Sequence, residues 1–311
     1  MAKTLSIPTL QPTFSIYADV LGRYIIYRKE GNKPVNNSKK LPNIGLLGCG
    51  QMGCGIARAF CNFGFSAIIY DYDTFQLKKG KMLIDQKIAE NKIVETIDLS
   101  FTNNLEDLET SDLIIECVSE KLETKKQILA KVSRTTKRNC IIATNTSSFL
   151  INELALSVAI PERFIGMHFM NPAHMIPLVE LIKGDKTSAK VIDFCEKTLA
   201  LIHKTFVHVK DSPGFILNRT LIPMINEAAF LVHGGIGTVE DIDKAIKLGS
   251  NNPTGPLQLA DAIGIDTIYS ILDSLAMRLK DAKYNPCPLL LEYIEKGWLG
   301  RKSSKGFYTY D

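Results

Sequence analysis

His168 and Glu180 are the two residues of this 311-residue chain best suited to moving a proton. Residues 165–170 and 178–182 read as strands, and residues 172–177 between them read as a turn. A hairpin or neighbouring strands could therefore set the two side chains side by side. An imidazole whose second nitrogen faces a carboxylate is a good general base, because the carboxylate fixes the tautomer and stabilises the imidazolium. By themselves the two residues fit equally well a histidine satisfied in the core beside a surface glutamate.

A second constellation reads Gly48-Cys-Gly50-Gln51-Met52-Gly53-Cys-Gly55-Ile-Ala. Residues 43–47 before it read as a short strand, residues 56–64 after it as a helix, and a further strand at 66–70 ends in Asp71. A tight strand-to-helix turn would use the same glycines. The flanking strands and the acid about 20 residues on point instead to a dinucleotide. Gly48 allows the turn, Gly50 lets a pyrophosphate approach the backbone, and Gly53 lets helix and strand pack closely. The amides of the helix N-terminus then face the phosphates. Asp71 would accept hydrogen bonds from ribose hydroxyls and repel a 2′-phosphate, and Tyr72 and Asp73 offer no arginine to receive one. NAD is therefore expected rather than NADP.

Two more polar residues stand where a ligand would lie. Ser147, in Asn145-Thr-Ser-Ser148, follows a strand at 140–143 and sits at its carboxyl end, where open α/β sheets place ligand contacts. A helix N-cap would look the same. Asn218 closes the run Asp-Ser-Pro-Gly-Phe-Ile-Leu-Asn, at the expected junction of two domains, and could equally be a polar residue beside an apolar stripe.

The elements that must position these groups divide the chain in three. Residues 1–42 form an extension of unknown role, with a possible strand at 15–27 and a polar linker at 31–40. In residues 43–210 strands alternate with helical stretches, including strands at 113–118 and 140–143, which predicts an α/β fold with a doubly wound parallel sheet. In residues 211–311 Pro213 is placed to start a helix, and Leu217, Leu221, Ile225, Ala228 and Val232 follow at helical spacing. Further helical patterns at 239–248, 256–262, 265–280 and 288–296 predict an all-helical second domain.

Composition narrows the function classes. With 37 Lys+Arg against 33 Asp+Glu, a net charge of +4 is no nucleic-acid footprint. No apolar run approaches the ~18 residues of a membrane span, and the N-terminal residues lack the apolar stretch of a secretory signal. Seven cysteines, an odd number without a C-x-x-C pair, suit buried thiols in a reducing compartment better than disulfides or zinc. A cytoplasmic protein is expected.

Taken together, GCGQMGCGIA, the strand ending in Asp71, NTSS, HFMNP with Glu180, DSPGFILNR, NNPTGPLQLADAIGID and GRKSSKGFYTY resemble the L-3-hydroxyacyl-CoA dehydrogenase family, which includes 3-hydroxybutyryl-CoA dehydrogenases. The motifs stand in order from about Pro42 to Asp311. The resemblance implies a Rossmann-type NAD-binding domain followed by a helical domain that carries a homodimer interface. It implies His168 as general base, Glu180 as its partner, and Ser147 and Asn218 as donors to the reacting oxygen and the imidazole region. It further implies that Glu120, Lys125, Asn171 and Lys302 contact the cofactor, beside Gly48, Gly50, Gln51, Met52, Gly53, Asp71 and Ser147. The stretch between Asp71 and residue 113 looks shorter than the family's helical arm. An acyl carrier protein thioester therefore stands beside a coenzyme A thioester as the expected substrate. Related dehydrogenases of free 3-hydroxyacids carry a lysine four residues before the helical asparagine, where this chain has Gly214. A non-catalytic NAD-binding protein would have no need of His168, Glu180, Ser147 and Asn218 together.

Overall fold

Among the described residues, eight strands form one sheet: β1 (Ile44–Leu47), β2 (Ala67–Tyr70), β3 (Leu99–Thr102), β4 (Leu113–Glu116), β5 (Ile141–Thr144), β6 (Phe164–Phe169), β7 (Leu178–Lys183) and β8 (Thr205–Lys210). Their order is β3-β2-β1-β4-β5-β6-β7-β8. The structure is a computed structural model and describes residues 40–90 and 98–310. The expected strand at 15–27 lies outside the described residues. From Leu41 onward the described chain forms one compact unit.

Strands β1 to β6 are parallel; β7 runs antiparallel to β6, and β8 parallel to β7. Every residue of β1, β4 and β5 is buried, as expected for parallel strands covered on both faces. The sequence reading named six of the eight strands. The two it passed over, β3 and β8, are the two edges of the sheet, and their half-exposed, polar-rich sequences LSFT and TFVHVK lack the buried apolar signature.

Helices α1 (Gln51–Cys61), α2 (Thr74–Glu90), α3 (Leu122–Thr135), α4 (Ile151–Ala155) and α5 (Ala189–Leu201) connect the strands. The first starts at Gln51, five residues ahead of the expected 56, so the glycine run is its opening turn. At Gly53 a Cβ would stand 2.0 Å from the Gly48 carbonyl oxygen, so only glycine lets the helix begin this close to β1.

After β8 the chain is helical: α6 (Leu217–His233), α7 (Val239–Gly249), α8 (Pro256–Ile263), α9 (Ile265–Leu279) and α10 (Pro288–Glu295). Ile225, Leu257, Ile268, Leu272 and Leu290 meet in their core. Pro213 does not start α6. Gly214 (φ 73°) and Phe215 (φ 50°) take left-handed backbone conformations, which no helix can continue through, and the helix waits until Leu217. The C-terminal tail is held by Asp261 of α8, which accepts the Phe307 amide (2.9 Å), the Tyr308 amide (2.8 Å) and the Tyr310 hydroxyl (3.0 Å). All seven cysteines are free and six are buried. No helix among the described residues is long and apolar enough to cross a membrane.

Candidate active site

His168 and Glu180 face each other directly across the antiparallel β6/β7 pair. Residues so placed bring their Cβ atoms to about 5 Å on the same face, and here the side chains meet: His168 Nδ1 lies 2.8 Å from Glu180 Oε2. Both are buried. The other carboxylate oxygen, Oε1, accepts the backbone N–H groups of Ile216 and Leu217, each at 2.9 Å. Those amides are available because the left-handed turn at Gly214 and Phe215 delays α6 and aims its first N–H groups at β7. The Phe215 ring packs against the imidazole, with ring centroids 5.7 Å apart. Burial alone would raise the Glu180 carboxyl. The His168 hydrogen bond, with the Leu217 and Ile216 amides, outweighs it and holds the carboxyl below the ordinary glutamate value. With Glu180 ionised, the proton of a neutral imidazole belongs on Nδ1, and Nε2 is left to exchange one.

Asn218 is the second residue of α6, one position beyond the Leu217 amide that Glu180 holds, and its side chain makes no hydrogen bond among the described residues. Ser147 lies three residues past the end of β5. In the same loop, Asn145 Oδ1 accepts the amide of Phe169, the neighbour of His168, at 2.8 Å. The loop that carries Ser147 is thus fastened to the strand that carries the histidine.

The glycine-rich turn lies at the carboxyl end of β1, between β2 and β4 in the sheet. This is where the strand order reverses, the crevice in which such sheets bind ligands. The helix N-cap is Gly50, which offers no side chain to the first amides of α1. A Cβ built on Gly50 would meet nothing within 4 Å. The residue is open toward the space before the helix, as a closely approaching phosphate requires. Asp71, at the end of β2, accepts the Cys49 amide on Oδ2 (2.8 Å) and the Asp73 amide on Oδ1 (3.0 Å). One carboxylate thereby braces the glycine turn and keeps lone pairs on both oxygens for ribose hydroxyls. Gln51 Nε2 reaches Asn171 Oδ1 at 3.3 Å, linking the cradle to the segment just after β6. These residues fit a dinucleotide.

Comparison with known proteins agrees. Residues 43–212 match the family described as "3-hydroxyacyl-CoA dehydrogenase, NAD binding domain", and residues 214–310 match "3-hydroxyacyl-CoA dehydrogenase, C-terminal domain". The chain belongs to the 3-hydroxyacyl-CoA dehydrogenase family. It is 43% identical over 280 residues to the 3-hydroxybutyryl-CoA dehydrogenase of Bradyrhizobium diazoefficiens, covering 87% of this chain and 96% of that one. A probable 3-hydroxybutyryl-CoA dehydrogenase of Bacillus subtilis is 40% identical over 286 residues, covering 88% and 98%. Among solved structures, the (S)-3-hydroxybutyryl-CoA dehydrogenase of Ralstonia eutropha superposes with a TM-score of 0.81 at 37% identity, covering 88% of this chain and all of that one. As a member of this dehydrogenase family the protein is an NAD-dependent oxidoreductase, and its cofactor is NAD.

Three other residues that the family resemblance singles out are engaged as follows. Glu120 Oε1 accepts the Thr146 hydroxyl (2.5 Å) and the amides of Ser147 (3.0 Å) and Ser148 (3.1 Å). Lys125 is 1% exposed, and its ammonium meets Glu116 Oε1 (2.8 Å), Glu120 Oε2 (3.1 Å) and the Val118 carbonyl (3.3 Å). Two of these are hydrogen bonds, to Glu116 and to the Val118 carbonyl, and the contact with Glu120 is an ion pair. Lys125 is thus held by the protein on the side of β4 and of the turn that follows it. Lys302 is bidentate on Asp266 at the start of α9, at 2.5 and 2.6 Å, and joins none of the contacts above. Sequence reasoning passed over Glu116 altogether. Its signal was a carboxylate closing the otherwise apolar strand LIIE, a position where an unpaired charge is too costly to bury.

Proposed function

We propose that this dehydrogenase interconverts an L-3-hydroxyacyl-CoA thioester of short chain and its 3-ketoacyl form. The observation that carries the reading is the buried His168–Glu180 contact beside the nucleotide cradle. Bound NAD supplies the acceptor for the hydride leaving the carbinol carbon, and its reduced form supplies the donor in the reverse direction. His168 Nε2 takes the hydroxyl proton in oxidation and returns it in reduction. Glu180 keeps Nδ1 protonated throughout and faces the imidazolium as it forms, so the charge develops opposite a carboxylate already in place. Ser147 and Asn218 donate hydrogen bonds to the reacting oxygen and steady the imidazole. The amides of Gln51, Met52 and Gly53 receive the pyrophosphate, and Asp71 the adenosine ribose. Asn171, whose Oδ1 accepts the Gln51 side chain, contacts the cofactor as well.

The names of the relatives favour coenzyme A as carrier over an acyl carrier protein. Residues 43–210 act as the NAD-binding domain and 211–311 as a helical domain that pairs two copies. The exposed apolar side chains of Met224, Phe230, Ile236 and Met277 support that placement. Seven free thiols support a reducing, cytoplasmic setting. The test follows NADH absorbance with acetoacetyl-CoA, run beside the same acyl group on an acyl carrier protein. Turnover of the coenzyme A ester is expected. Turnover on the carrier protein alone would move the substrate to that carrier, and turnover on neither would overturn the reading.

A further inference from the structure

Two of the seven free thiols meet inside the glycine turn, and the proposed mechanism uses neither. Cys49 follows Gly48 after the end of β1, and Cys54 stands in the opening turn of α1, its amide donating to the Gly50 carbonyl oxygen at 3.0 Å. Their sulfur atoms are 3.8 Å apart, and Cys54 Sγ also lies 3.7 Å from the Cys49 carbonyl oxygen. Helix α2 closes over both. A Cβ built on Gly80 would stand 2.2 Å from Cys49 Sγ and 3.0 Å from Cys54 Sγ. The glycine lets the helix backbone lie against both sulfurs, which leaves neither thiol room to turn away from the other.

We propose that Cys49 and Cys54 form a modification site, which a peroxide converts to a disulfide, and that this bond distorts the turn and weakens NAD binding. The Cys54 thiolate attacks one oxygen of a peroxide ROOH. An S–O bond forms, the O–O bond breaks, and the alkoxide leaves as ROH with a proton from solvent. Cys49 Sγ then attacks the sulfenic sulfur of Cys54. The S–S bond forms, the S–O bond breaks, and the departing hydroxide takes the Cys49 proton and leaves as water. The two thiols give up two electrons and the peroxide takes them. The roles follow from the surroundings. The Cys49 hydrogen bond holds the Cys54 thiol below the ordinary cysteine value, against burial and the Asp71 charge, while the same bond and burial push the Cys49 thiol up. Cys54 is thus the attacking thiolate and Cys49 the thiol that resolves it. Both side chains are buried, but Gly50 and Gln51 in the chain between them are exposed, so a small opening of the turn admits a molecule of a few atoms.

The turn has little slack to absorb the new bond. Gly53 already lies against the Gly48 carbonyl, where a Cβ would stand 2.0 Å away, and the Cys49 amide is held by Asp71 Oδ2 at 2.8 Å. Drawing the sulfurs into a bond therefore moves the amides that face the pyrophosphate and the carboxylate that faces the ribose. In a reducing compartment the pair stays open, and it closes when peroxide rises.

This inference rests on the reading of the turn as the pyrophosphate cradle, and its test separates the two. The parent protein and Cys54→Ala are treated with hydrogen peroxide and then with dithiothreitol. At each stage the NADH dissociation constant is measured, free thiols are alkylated, and tryptic peptide 41–58, which holds both cysteines, is weighed. In the parent, peroxide should remove two hydrogens from that peptide and leave it closed to alkylation. NADH affinity should fall about tenfold or more, the scale of a lost hydrogen bond to a charged group, and dithiothreitol should restore both. Cys54→Ala should bind NADH as the parent does and keep that affinity in peroxide. A peptide that stays reduced would overturn the proposal, as would a disulfide formed at unchanged NADH affinity, or an equal loss of affinity in Cys54→Ala. A reduced parent that binds no NADH would overturn the cradle reading and the effect on NAD with it, while peptide 41–58 would still decide the disulfide. Should Cys54→Ala fail to fold, Cys54→Ser keeps the size and is read in the same way.

Discussion

Glu180 in the sheet and Asp261 among the helices are built on one plan with opposite results. Each is 1% exposed, and each takes the N–H groups of two consecutive residues, Ile216 and Leu217 in one case and Phe307 and Tyr308 in the other. They differ in the third partner. Glu180 faces an imidazole that can carry a proton, and its carboxyl is held below the ordinary value. Asp261 faces the Tyr310 hydroxyl, and burial outweighs the Tyr308 and Phe307 amides to push its carboxyl up. A carboxylate clasped by two amides is therefore a way of fastening chain in this fold. Only the partner able to become a cation gives such a fastening a group that can move a proton.

That contrast can be broken at either end. The largest effect belongs to His168→Ala, which should lower kcat by about a hundredfold or more and leave NADH binding nearly unchanged. Equal activity in the variant would reduce the dyad to a second structural clasp. Asp261→Asn should do the reverse. It puts an amide N–H₂ against donors, at a cost of about 1–3 kcal/mol. The melting temperature should fall by several degrees, with kcat per folded molecule unchanged. A fall in kcat would show that the tail takes part in catalysis.

The smallest effect is one of sign. Glu180, lowered in the folded state, contributes stability that is full above the unfolded glutamate value of about 4.3 and lost as pH falls through its folded value. Asp261, raised, works the other way, because the folded state binds its proton more tightly than the unfolded chain does. Glu180→Gln should therefore flatten the acid side of the stability curve, and Asp261→Asn should steepen it. Urea midpoints between about pH 6 and pH 3 would show this. The same slope change in both variants would erase the distinction.

How much of this the sequence carried depended on the range of each interaction. The dyad was legible because a short turn between two strands leaves few ways to pair them, and side chains of matching parity then share a face. The helical part was legible from its 3.6-residue spacing. The amides of Ile216 and Leu217 were not, since they depend on a left-handed backbone at Phe215, which a non-glycine residue rarely adopts. Nor were the partners of Lys125. Family likeness implies a cofactor contact for its side chain, and only the fold shows Glu116, Glu120 and Val118 beside it. The edge strands β3 and β8 escaped notice because half-exposed strands need no apolar signature.

The two N–H groups that end on Glu180 Oε1 have one more consequence. Backbone amides exchange with deuterated solvent only when their hydrogen bonds open. Ile216 and Leu217 should thus exchange slowly for as long as the carboxylate stays under them, and quickly once it swings away. Two peptide groups form a gauge of the proposed proton-transfer pair, readable by isotope uptake without touching His168.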